Sequence, residues 1–245
     1  MRELANRVEY KGDTVAIPIK VIPQPGGQPS IKAIVNIYPI NDEHFEDQAI
    51  KLKKLYYQFK ARRIIIDGNG LGFGLMDYMV KPQSDFSGES FPPFGVYNDE
   101  DGTYKKFRTN DTEDEAIYIM RATPAINTDM YTSLQVQLRS GKIKFLIDER
   151  VTKAKLLATK AGQKMTPEQR KLYLRPYVYT TILRDELLNL REENEGVYIR
   201  LKQANRNIKK DTVSALGYGL YYIKHEEDSK RKKKRFNVKD MMFFS

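Results

Sequence analysis

Cysteine and tryptophan are both absent from the 245 residues. Without cysteine the chain has no disulfides and no thiolate metal sites. Histidine is nearly absent: His44 and His225 are the only two, both in polar surroundings, which excludes a His-rich zinc site. No apolar run reaches the roughly 20 residues that a membrane-spanning helix needs, and no signal-peptide pattern opens the chain. The expectation is a soluble protein working inside a cell, with no membrane partner. The P-loop pattern GxxxxGK[ST] is missing too, which removes the common phosphate cradle of ATPases. No repeat period appears, and no Gly/Ser linker separates two independent domains.

What is there suits one sizeable α/β domain with extensions. Hydrophobic residues make up 40% of the chain, enough for a real core, and charged residues 30%. The formal net charge is +10, and the run Lys230–Arg235 holds six of those positive charges, so the rest carries +4. A basic balance points to an anionic partner without naming it. The RKKKR run suits non-specific phosphate binding, solubility or an acidic partner alike.

Two stretches stand out. The first, RRIIIDGNGLGFGL, runs three isoleucines into Asp67 and then into Gly68, Gly70, Gly72 and Gly74. A short β-branched run reads as a strand buried on both faces. The glycines permit tight turning. An acid at the carboxyl end of such a strand lies where open α/β sheets place their chemistry. The second stretch, NIKKDTVSALGYGLYY, begins a helical pattern at Asp211. Together they suggest that Asp67 and Asp211 converge on one divalent-metal site that cuts nucleic acid. Oxygen ligands suit Mg²⁺ or Mn²⁺, and two such ions clamp a scissile phosphate and activate water.

Each residue also has a plainer reading. Asp67 caps a glycine turn, and Asp211 is a first-turn acid that the helix dipole favours. Asp13 is a further metal-ligand candidate at the sheet edge, although KGD is first of all a turn. Arg206, Lys209 and Lys210, just before Asp211, are candidates for gripping phosphate, or a solvated face. Tyr218, Tyr221 and Tyr222 suit base stacking or ordinary core packing. GNGLGFG looks like a nucleotide-binding turn, but here the acid precedes the glycines and a hairpin and helix come first, unlike the Rossmann order.

In chain order, residues 1–12 read as an N-terminal remnant or loop. Residues 14–22 and 31–38 form a hairpin, with Pro18 marking an edge or bulge. An amphipathic helix covers 45–59, the buried strand 62–67, and a short helix 72–78. Residues 81–110 are a broken polar excursion, which Phe91 and Phe94 pin down. A strand recovers at 115–120, and Asn127 caps a helix over 127–138 that Gly141 ends. A short strand covers 144–147. Residues 151–166 are helix-compatible, and Thr166 starts a long helix that Pro176 kinks or splits. A short strand covers 197–201, and the final helix covers 212–222. Residues 224–245 read as a basic tail that docks elsewhere or is disordered.

The order of these pieces resembles the nuclease half of tailed-bacteriophage large terminase subunits. The resemblance rests on the hairpin, the FEDQAIKLKKLYYQF helix, the strand with Asp67 and GNGLGFGLMDYMV, and the closing GVYIRLKQANRNIKKDTVSALGYGLYY. It spans roughly residues 13–222. It implies an RNase H-like fold, a mixed sheet flanked by helices, over 13–223, with the basic tail after it. It implies an endonuclease that cuts concatemeric double-stranded DNA during viral packaging, in the cytoplasm of a bacterial host and transiently at the procapsid portal. The implied partners are DNA, an ATPase half, the small terminase subunit and the portal protein. Asp67 matches the acid of the fourth strand, and Asp211 the acid opening the last helix. The first-strand acid has no match; Glu3 and Glu9 are nearby but follow no apolar strand. The chain therefore reads as lacking that strand and the ATPase half, as a fragment or split product would, and as a poor nuclease in isolation. The alternatives are a non-catalytic module that binds DNA or a packaging partner, and a resolvase-like nuclease outside packaging.

Overall fold

A computed structural model describes residues 15–40, 44–69, 72–108 and 114–240. The protein is mixed α/β. Its strands are β1 (Val15–Ala16), β2 (Ile19–Ile22), β3 (Ile31–Ile34), β4 (Tyr38–Pro39), β5 (Ile64–Asp67), β6 (Gln83–Ser84), β7 (Ser90–Phe91), β8 (Ile117–Met120), β9 (Ile143–Lys144), β10 (Leu190–Glu195) and β11 (Tyr198–Gln203). Its helices are α1 (Phe45–Phe59), α2 (Gly72–Met79), α3 (Pro124–Arg139), α4 (Glu149–Leu157), α5 (Lys160–Lys164), α6 (Pro167–Leu188) and α7 (Asp211–Asp240).

The hairpin forms, but each arm is interrupted. β2 pairs antiparallel with β3 and β1 with β4, and between the two ladders lies Pro18. Its carbonyl accepts from the Val35 amide at 2.9 Å. Proline has no N–H to return, so this rung is one-sided and the arm divides there. On its far side β3 pairs in parallel with β9.

β5 and β8 form a separate parallel pair, in the register Ile64↔Ile117 to Asp67↔Met120. Val96 adds a single parallel bridge to Ile117. Beside it, the Asn98 side chain donates to the Ile119 carbonyl and accepts from its amide, both at 2.9 Å, standing in for a strand. Among the described residues no ladder joins β5 to the hairpin. This pair explains the isoleucine run. Ile64, Ile66, Ile117 and Ile119 face one cluster with α1 and α2, built on Ala49, Met76, Met79 and Phe94. Ile65, Tyr118 and Met120 face the other way, towards Met130 of α3 and Tyr218 and Tyr221 of α7. Successive side chains alternate between faces, so a strand covered on both reads as continuous apolar sequence.

Several boundaries differ from the sequence reading. The α3 cap is Thr123, whose hydroxyl accepts from the Ile126 amide; Asn127 lies inside the helix. Pro124 follows at the first helical position, where its missing N–H costs nothing. Pro176 does not split α6, which runs on to Leu188 behind a Thr166–Gln169 capping box. The expected strand at 197–201 is the second arm of a hairpin, β10–β11. The largest difference is α7, which continues to Asp240 instead of stopping at Tyr222. Lys32 and Ser30 of the hairpin side grip Glu227, and Arg62 pairs with Glu226 at 3.1 Å. These contacts keep the helix on the body past the point where its apolar stripe ends.

Lys53 sits in the middle of α1 with no exposed surface. It donates to the carbonyls of Lys81 at 2.6 Å and Pro92 at 2.9 Å. Its ammonium lies 5.3 Å from the centre of the Phe94 ring. It thus ties the polar excursion to the core. Burial pulls its pKa down from 10.5 to about 8. Between those values the folded state binds fewer protons than the unfolded, so stability rises with pH. Urea midpoints are expected to climb from pH 8 towards 10.5, and Lys53→Met is expected to flatten that climb.

Candidate functional site at the end of β5

Asp67 occupies the last position of β5, where the sequence places it, and its side chain is open to solvent. The Ile64 amide donates to Ala116 at 2.7 Å and the Gly68 amide to Met120 at 2.9 Å. Backbone groups alternate along a strand, so those of Ile65 and Asp67 point to the edge away from β8. The turn after Asp67 is tight. A Cβ on Gly68 would stand 2.4 Å from Ile119 Cγ2 and 3.3 Å from the Met120 carbonyl. Glycine is therefore required here by close approach to β8.

Two donors hold the Asp67 carboxylate. The Asn69 amide donates to Oδ1 at 2.9 Å, and the Tyr218 hydroxyl donates to Oδ2 at 3.4 Å. The Asn69 side chain in turn donates to the Ala122 carbonyl at 3.2 Å. Surrounding protein raises the Asp67 pKa above the usual carboxylate value, and the two hydrogen bonds oppose the rise. Water reaches the group, so the upward push is modest. Tyr218 is pushed far above the usual phenol range, first by burial and then by the charge of Asp67. It stays a hydrogen-bond donor at every ordinary pH. Tyr131 of α3 lies next to it, with Ser214 beside its hydroxyl. Ser214 donates to the Lys210 carbonyl at 3.1 Å. A line of three hydroxyls thus runs along α7 from Asp67 towards the helix start.

Asp211 is the first residue of α7. Seven residues separate it from Tyr218, two helical turns, so the two share a face about 10 Å apart along the axis. Asp211 and the tyrosine that meets Asp67 therefore lie on one side of α7. The neighbour of Asp211 is Glu186 of α6, whose charge interacts with it. Glu186 is 3% exposed, and it accepts from the Thr212 hydroxyl at 3.0 Å and the Val213 amide at 2.9 Å. It caps the start of α7 from another helix. Burial raises its pKa from 4.5 to about 6, against the pull of those donors. Among the described residues no three His, Asp or Glu side chains gather as a metal site would require. Asp13, Glu3 and Glu9 lie outside the described residues.

The basic residues sit on an ordered loop. Asn189, 8% exposed, accepts from the Asn205 amide at 2.8 Å and donates to the Asn205 carbonyl at 2.9 Å. Its own carbonyl accepts from Ala204 at 2.8 Å. Gln203 reaches the Ile208 carbonyl at 2.6 Å. This frame places exposed Arg206 and Lys209, with half-buried Lys210, immediately before Asp211. A cavity of about 500 Å³ opens elsewhere, among Phe94, Tyr97, Tyr104 and Arg108, and includes neither acid.

Sequence reasoning missed Glu186, Tyr131 and Asn189. Glu186 left one trace: it falls between Leu183 and Leu190 at i, i+3, i+7, an acid on an apolar stripe. No helix among the described residues is long and apolar enough to cross a membrane. Comparison of the chain with protein-family models, with curated proteins and with solved structures finds no match.

Proposed function

We propose that the chain is the nuclease part of a tailed-phage DNA-packaging machine, RNase H-like in organisation, that hydrolyses double-stranded DNA with Mg²⁺ or Mn²⁺. The observation that carries this reading is the meeting of α7 with the end of β5, which sets Tyr218 on Asp67 and Asp211 on the same helix face. The order of hairpin, α1, β5, glycine turn, parallel β8 and closing helix supports it as well. Under this reading the partners are DNA, an ATPase half, the small terminase subunit and the portal.

The donor set is right in kind, all oxygen, for a hard cation. It is incomplete in arrangement. Paired ions stand about 3.5–4 Å apart and need several carboxylates around them, and among the described residues no three acids gather at Asp67 or Asp211. That shortfall favours a second reading, a non-catalytic module that holds DNA or a packaging partner through the same basic loop. Plasmid nicking with Mg²⁺ or Mn²⁺, against an EDTA control, separates the two. Metal-dependent nicks support the nuclease. Binding without cleavage favours the module, and neither binding nor cleavage overturns the nuclease and the DNA-holding form of the module.

The basic loop has its own test. Each phosphate contact removed lowers the slope of log affinity against log salt by about 0.9. Lys209→Ala/Lys210→Ala is expected to lower it by nearly 2 with little sequence preference, and the slope is read from a fluorescence-anisotropy salt titration. An unchanged slope would put these lysines off the DNA path.

A further inference from the structure

We propose that Tyr218 is the positioning residue of Asp67, and that the glycines on either side of it let α7 come close enough for its hydroxyl to reach the strand end. The catalytic part of this inference rests on the nuclease reading above; the contact itself does not.

A carboxylate at a strand end is free to turn about two torsions. Here each oxygen has one donor, and the donors come from different elements. Asn69 belongs to the turn that follows β5, and Tyr218 to the last helix. Two donors on two oxygens fix the carboxylate plane. The Tyr218 ring is itself held, packed with Tyr131 against the cluster of Met120, Met130 and Tyr221.

Glycine inside a helix costs up to about 1 kcal/mol relative to alanine, and this helix spends two on either side of one tyrosine. A Cβ at Gly217 would stand 3.0 Å from Met130 Sδ, and one at Gly219 would stand 2.9 Å from Ile19 Cδ1. Both contacts set the height of α7, one over α3 and one over β2. A methyl group at either point must displace those side-chain ends or shift α7, and a shift of α7 would lengthen the 3.4 Å contact of the Tyr218 hydroxyl with Asp67. The Gly217–Tyr218–Gly219 sequence thus keeps α7 close to both elements at the level of that hydrogen bond. Outer-shell partners of this kind are worth about 10–100-fold in metal affinity or activity.

Tyr218→Phe keeps the ring and removes the hydroxyl. In the nicking assay it is expected to lower kcat about tenfold, leave KM for DNA unchanged, and raise the Mn²⁺ concentration needed for half-maximal rate. A merely structural role would not move the metal dependence. Cleavage with wild-type rate and metal dependence would overturn the proposal. A thermal-melting cycle of Tyr218→Phe, Asp67→Ala and the double variant tests the contact whatever the activity. Non-additive shifts support it, and additive shifts overturn it. If the wild-type chain makes no cuts while the cycle is non-additive, the nuclease reading falls and the positioning contact stands.

Discussion

On the nuclease reading, Asp67→Asn is expected to lower whatever metal-dependent nicking the chain shows by at least about a hundredfold, some 3 kcal/mol of transition-state stabilisation, while DNA affinity stays within about twofold. The substitution is nearly isosteric. The asparagine oxygen still accepts from the Asn69 amide, and its NH2 can donate to the Tyr218 hydroxyl oxygen, so the turn and the helix contact persist. What disappears is the negative charge, and a hard cation is held by charge. On the proposed reading, affinity for the DNA backbone comes from Arg206, Lys209 and Lys210, on a different loop. Stability is expected to hold or to rise slightly, because the partly desolvated carboxylate is replaced by a neutral group. Nicking rates measured beside anisotropy titrations on one preparation check all three. Persistent cleavage by the asparagine variant would mean that another residue carries the chemistry.

The places of the two acids in the fold were legible in the sequence, and the reason is local. The isoleucine run specifies a strand whatever it pairs with, and the glycines after it specify a turn. Asp67 is thus placed by its immediate neighbours alone. Asp211 is placed similarly, by a helical pattern that starts at an acid. The partners of these acids were not legible, because they come from far along the chain. Glu186 is 25 residues from Asp211, and Tyr218 is 151 from Asp67. Nothing in a tyrosine at a helical spacing distinguishes a core ring from a ring with a carboxylate to hold. The end of α7 was missed for a related reason. Its apolar stripe fades after Tyr222, and what keeps it helical and docked is the polar grip of Ser30, Lys32 and Arg62 on Glu226 and Glu227. Arms broken at Pro18 were anticipated in kind, since a proline in a strand removes one donor from the ladder.

The buried acid gives the second large effect. Glu186→Ala is expected to destabilise the protein by about 3 kcal/mol, which for a chain of this size is a fall in Tm of roughly 6–12 °C. Two hydrogen bonds to one carboxylate are lost at once, from the Thr212 hydroxyl and the Val213 amide. Both donors are buried, with Thr212 at 3% and Val213 at 1% exposure, so water does not replace the acceptor. The first turn of a helix has no internal partners for its amides, and an anion there also answers the helix dipole. Removing the side chain leaves a void between α6 and α7 as well. The pH dependence separates charge from packing. Folding raises the pKa of Glu186 from 4.5 to about 6, so the folded state holds the proton more tightly. That contribution is complete below pH 4.5 and is lost as pH rises through 6. Glu186→Gln keeps the volume and an acceptor oxygen, and it is expected to remove this pH dependence with a much smaller fall in Tm. Because the same carboxylate fixes the turn that carries Asp211, the alanine variant is expected to lose cleavage even at temperatures where it is folded. Melting curves at pH 4.5 and 7 for the two variants, with nicking at 25 °C, test the whole argument. An alanine variant as stable and active as the wild type would show that α7 is held at its start by something other than Glu186.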